Sequence, residues 1–138
     1  MLSALALSTL LTLPAAAQVP GAAPDYPVGK RSINARGAQA FPIALWYPLA
    51  AAGDANTPAA GRFPLVLFSH GSGGSERNQH GWAEHLARRG YVVATSRHWG
   101  DSYDQPGGRG TDVQLIGRPL QAAAALDGAC RSLHQPVH

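Results

Sequence analysis

The segment Phe63-Pro-Leu-Val-Leu-Phe-Ser-His-Gly-Ser-Gly-Gly74 constrains the fold more than any other stretch. Leu65 to Phe68 is a continuous apolar run of strand length. A strand without polar alternation is one covered on both faces, as in a parallel sheet. Gly71, Gly73 and Gly74 follow at once. Lacking Cβ atoms, they let the backbone turn sharply and leave its N–H groups unshielded. Unshielded N–H groups can hold a developing negative charge.

The flanking elements fit around this unit. Arg31 to Arg36 reads as a short edge strand, and Ile43 to Tyr47 as a strand stopped by Pro48. Residues 49–62 are rich in Ala, Gly, Asp, Asn and Pro and read as a surface loop. Trp82, His85, Leu86 and Arg89 recur at helical spacing, which predicts a helix over about residues 77–89 capped by Gly90. Tyr91 to Thr95 is the next apolar strand, and residues 96–112 form a glycine-containing loop. Pro119 suits the first turn of a final helix, with Leu120, Ala123, Leu126, Cys130 and Leu133 as its apolar stripe. Cys130 is then a small buried apolar residue. Strand, glycine loop, helix, strand is a βαβ unit, so its two strands should run parallel. In open sheets of this kind function gathers at the carboxyl ends of strands. His70–Gly74 and Arg97–Tyr103 both lie at such ends and should face one crevice.

The N-terminus reads as a targeting segment. Leu2 to Leu13 is mostly apolar, Pro14 breaks the run, and Ala15-Ala16-Ala17 supplies a small-x-small cleavage site. The run is shorter than the roughly 18 residues a membrane span requires. No cysteine lies near Ala17, so no lipid anchor is implied. Residues 1–17 are thus assigned to a signal peptide and 18–138 to one small domain, secreted or periplasmic. A single cysteine excludes an internal disulfide framework. The net charge of +3 is modest and its arginines are scattered, which argues against a nucleic-acid surface.

His70-Gly71-Ser72-Gly73-Gly74 after a buried strand resembles the oxyanion loop of α/β-hydrolases. Leu45-Trp-Tyr-Pro48, the Phe63–Gly71 run, the Trp82–Gly90 helix, Tyr91-Val-Val-Ala94, His98-x-Gly100-Asp101 and Arg118-Pro119 follow in the same order as in exported bacterial hydrolases of the dienelactone-hydrolase-like and platelet-activating-factor acetylhydrolase-like group. The resemblance spans about residues 26–130. It implies an α/β fold, the N-terminal portion of an α/β-hydrolase sheet with mostly parallel strands and flanking helices. It also implies a serine hydrolase of carboxylic esters whose loop donor is the Ser72 N–H. On that basis Ser72 and Gly73 are the candidate catalytic positions, and His70, Gly71, Gly74, His98 and Asp101 the candidate substrate-binding ones. His70 reads as a brace for the loop. Asp101 either orders the same rim or caps a turn with Ser102. The chain departs from the group's usual pattern at Ser96, Arg97, Trp99 and Gln121.

A nucleophile elbow needs Gly-x-Ser-x-Gly. Ser69, Ser72, Ser75, Ser96, Ser102 and Ser132 all fail that pattern. In the family order the serine, acid and base come after the residues present, so His134 and His138 are not candidates for the base. The chain reads as a partial hydrolase domain lacking the elbow and inactive by itself. The alternative is a non-catalytic α/β remnant or a binding module with a vestigial pocket. No dinucleotide, Walker or His-Glu-x-x-His pattern is present, so no cofactor or metal is implied. The implied partner is a small ester or lipid-like molecule, with no nucleic acid and no stable membrane anchor. The sequence does not specify an oligomeric state.

N-terminal sequencing of protein recovered outside the cytoplasm is expected to begin at Gln18. A mature protein still starting at Met1 would count against the assignment.

Overall fold

The computed structural model describes residues 25–36, 40–50 and 57–134. Residues 1–17, where the sequence suggests a signal peptide, and the tail after His134 lie outside the described residues. Among the described residues four strands form one sheet: β1 (Val28–Ala35), β2 (Phe41–Pro48), β3 (Leu65–Ser69) and β4 (Val92–Ser96). Their order is β1-β2-β4-β3. Helix α1 (His80–Arg88) joins β3 to β4, and α2 (Arg118–His134) ends the described chain.

The sheet is mixed and mostly antiparallel, which corrects the expectation of mostly parallel strands. β1 pairs β2 and β2 pairs β4 antiparallel; only β3 and β4 run parallel. The cause lies in the connections. Residues 36–40 between β1 and β2 are too few for a crossover, which takes about a dozen residues or more, so those strands must reverse. The β3–β4 connection, residues 70–91 with helix α1, is long enough to return the chain in the same direction, and it joins the parallel pair.

Side chains alternate between two apolar layers. Ile43, Leu45, Tyr47, Val92 and Ala94 pack with Ala125 and Ala129 of α2. Trp46 and Val93 pack with Ala83 and Ala87 of α1, joined by half-buried Val66 and Phe68. The sheet therefore lies between its helices, and β2 and β4, paired on both sides, form its centre. β3 is an edge strand, and its apolar run Leu65–Phe68 is only half-buried.

The two helices turn different faces to the sheet from those the apolar spacing predicts. On α1, Trp82 is 68% exposed while Ala83 and Ala87 are fully buried. On α2, Leu120, Ala123, Leu126 and Cys130 are exposed, and Ala125, Gly128 and Ala129 are buried. Small side chains win because they let the helix lie close to the sheet. A Cβ at Gly128 would sit 3.7 Å from the Ala35 Cα and 3.6 Å from Ile43 Cδ1. The exposure of Cys130 corrects its expected burial and follows from the same rotation.

The caps have local causes. Gly90 has φ +85° and closes α1 in the left-handed region that only glycine enters freely. Helix α1 starts at His80 rather than near residue 77 because Asn78 Oδ1 accepts from the Ser75 N–H and hydroxyl, holding a turn before it. A wider π turn (Val113–Gly117) precedes α2. Pro119 cannot donate to the carbonyl four residues back and crowds it, so a widened turn suits that position.

The buried face of α2 is testable by urea unfolding. Ala129→Leu is expected to cost about 1–3 kcal/mol by overpacking. Leu120→Ser should stay within about 0.5 kcal/mol, the ordinary range for exposed positions.

Candidate functional site: two loops joined through a buried carboxylate

The loops after β3 and β4 lie side by side at the carboxyl ends of the parallel pair β3–β4. Asp101 joins them. Its side chain is fully buried. Oδ1 accepts from the Ser72 hydroxyl at 2.8 Å and from the Gly73 N–H at 3.2 Å. Oδ2 accepts from Gln114 at 2.9 Å and from the Arg118 guanidinium at 2.7 Å. Arg109 adds a second cation at 3.5 Å. Burial alone would raise the carboxyl pKa, but the hydrogen bonds from Ser72, Gln114, Gly73 and Arg118 outweigh it and hold the value at about 2. Asp101 therefore orders the rim. Ser102 instead donates to Asp104 in a separate turn.

The glycines of the loop are required at two positions. Gly73 has φ +73°, and a Cβ there would lie 2.3 Å from Arg109 Nη2. A Cβ at Gly74 would lie 2.9 Å from His70 Cβ. Gly71 has open space around it.

Two carbonyls of the loop, those of His70 and Gly71, are anchored inward. The Gly71 carbonyl accepts from His70 Nδ1 at 2.6 Å and from the Gly74 N–H at 3.0 Å. The His70 carbonyl accepts from Arg118 Nη2. In a trans peptide the N–H points opposite to the C=O. Anchoring these two carbonyls therefore turns the Gly71 and Ser72 N–H groups away from the anchors. Both residues are exposed, and among the described residues neither N–H has a hydrogen-bond acceptor. The Gly73 N–H, by contrast, is occupied by Asp101, through its carbonyl as well as its carboxylate.

Two buried histidines stand behind the loop, with ring centroids 4.9 Å apart. His70 Nε2 accepts from the His98 backbone N–H at 3.1 Å, which leaves His70 Nδ1 to donate to the Gly71 carbonyl. Gln121 fixes the tautomer of His98. Its Nε2 donates to the Trp99 carbonyl and its Oε1 accepts from the Trp99 N–H, so Oε1 faces His98 Nδ1 at 3.1 Å as an acceptor. His98 Nδ1 therefore carries the proton. His98 Nε2 is bare and accepts the Ser69 hydroxyl at 2.7 Å. Burial first, then the Arg118 and His70 charges, lower the His98 pKa to about 4 against opposing contributions from Gln121 and Asp101.

The candidates His70, Gly71, Ser72, Gly73, Gly74, His98 and Asp101 are thus brought together in one place. Sequence reasoning missed Ser69, Arg109 and Gln114 as members, and gave no contact to Arg118 or Gln121. Arg118 is the only charged residue between Val113 and Leu126, the one signal that pointed to a tertiary partner.

Of the shifted groups, the buried pair His98 and Asp101 sets the acid response. The folded His98 value lies below its ordinary 6.5, so the unfolded chain takes up that proton first. Stability should fall as pH drops from 6.5 towards about 4. The Asp101 contribution is present above 3.8 and is lost as pH falls through about 2. Urea unfolding across this range should show both phases, and His98→Asn should remove the first. Asp101→Asn should cost about 3 kcal/mol at neutral pH, because it strips Arg118 of its carboxylate.

A family model described as platelet-activating factor acetylhydrolase, isoform II, matches residues 19–104. No match was found among curated proteins. The matched span takes in all four strands, α1 and both loops up to Asp104. This chain belongs to the platelet-activating factor acetylhydrolase isoform II family, a family of lipase- and esterase-like hydrolases.

Proposed function

We propose that these residues form the N-terminal, oxyanion-binding part of an exported serine hydrolase of carboxylic esters. One observation carries the reading: the His70 and Gly71 carbonyls are anchored inward, which leaves the Ser72 N–H directed outward from an exposed loop. Fixed N–H donors stabilise charge developing on a carbonyl oxygen without reorganising during the reaction. Family membership supports an ester or lipid-like substrate. The short apolar run ending at Ala15-Ala16-Ala17 supports export. Among the described residues no helix is long and apolar enough to cross a membrane.

Acyl transfer by this route also needs an elbow serine, a base and an orienting acid. No Gly-x-Ser-x-Gly occurs in the 138 residues. On this reading those groups are encoded downstream. The gene read past the His138 codon should contain an elbow followed by an acid and a histidine. A frame without them overturns the proposal and leaves a non-catalytic α/β binding module. The 138-residue chain by itself should show no sustained ester turnover above background. In a longer product that carries the elbow, Ser72→Pro, which removes the N–H, should lower kcat by about 100-fold.

A further inference from the structure

Ser69 fails the elbow pattern, yet it has the surroundings of an activated hydroxyl. It ends β3, is exposed, and leads directly into the glycine loop. Its hydroxyl donates to the bare Nε2 of His98 at 2.7 Å. His98 is oriented through its other nitrogen by Gln121 at 3.1 Å. Nucleophile, base and orienting group in hydrogen-bond sequence are the general signature of an activated nucleophile. A third feature adds to this. The Arg118 guanidinium donates to Ser69 Oγ at 2.9 Å. A fixed positive charge there stabilises the alkoxide, so a weak base suffices to take the proton.

We propose that Ser69 is a covalent acyl-acceptor site for activated carboxylic esters such as aryl esters, with His98 as its base and Gln121 and Arg118 as positioning residues. Ser69 Oγ attacks the ester carbonyl while its proton passes to His98 Nε2. The bond from the acyl carbon to the aryl oxygen breaks, and the departing oxygen takes the proton from Nε2. The products are an acylated Ser69 and a free phenol, with His98 restored to its starting form. Burial first, and then the Arg118 and His70 charges, disfavour the protonated form of His98, so it activates water poorly for the return step. One acylation per chain is therefore expected, not sustained turnover.

The test treats the 138-residue chain with p-nitrophenyl acetate and, in parallel, with a fluorophosphonate. Intact mass and peptide mapping locate the adduct. One equivalent of nitrophenol and a single adduct on Ser69 are expected, with labelling about 100-fold slower in His98→Gln. The pH profile of the unaltered chain gives a second readout that needs no variant. Groups facing His98 are Arg118 and Gln121 from α2, His70 from the β3 loop, and Asp101 from its own loop. With His98 as base the rate should be flat over roughly pH 6 to 8 and fall as pH approaches 4. An unassisted hydroxyl would instead react about tenfold faster per pH unit, following its alkoxide fraction. No adduct on Ser69, a rate unchanged in His98→Gln, or a rate climbing with each pH unit would each overturn the proposal. None of these outcomes bears on the downstream elbow, so the two readings fail separately.

Discussion

The site depends on one buried carboxylate. Asp101 has no exposed surface and would be expelled from the interior if it stood alone, because an unpaired buried charge costs several kcal/mol. It stays because four hydrogen-bond donors converge on it, one of them the Arg118 guanidinium, with the Arg109 guanidinium beside them. Those donors come from the β3 loop, the turn before α2, and α2 itself. A single ion thus ties the β3 loop to the start of the α2 helical run, which no shared strand or helix connects. Arg118 extends the tie, since the same guanidinium reaches Ser69 Oγ and the His70 carbonyl. Whatever chemistry the glycine loop performs rests on that carbonyl being held.

The histidines are a second layer of the same design. Each uses one nitrogen as an acceptor and the other as a donor, and each donor is matched to a defined oxygen. Buried polar groups stabilise only when every partner is present. Here the chain runs from Gln121 through His98 to Ser69, and from His98 through His70 to Gly71. A change at Gln121 can therefore reach the loop without touching it. Small residues serve the same end in the core. Ala125, Gly128 and Ala129 let α2 close on β1 and β2, and that approach brings Arg118 and Gln121 over the loops.

Much of the frame is legible along the chain. The apolar run at Leu65–Phe68, the glycine turn after it, the Gly90 cap and the parallel β3–β4 pair all follow from local composition. Strand direction elsewhere was misread. A strand's apolar pattern records that it is buried, not which way its neighbour runs, and β2 is buried while antiparallel to both neighbours. Helix faces were misread for a related reason. Apolar spacing favours large residues such as Trp82 and Leu120, whereas close helix–sheet contact selects alanine and glycine.

The residues themselves determined where strands and turns fall, because burial, glycine freedom and proline stops act over a few positions. They also determined which loop could present bare N–H groups. The partners of Asp101 were decided by the tertiary structure alone. Ser72, Arg109, Gln114 and Arg118 lie between 8 and 29 positions from it, and no local rule links a carboxylate to a guanidinium a helix away. The same holds for Ser69 and His98, 29 residues apart and 2.7 Å from contact atom to contact atom. Sequence spacing sets what a segment becomes; the crossover through α1 and the approach of α2 set which side chains meet.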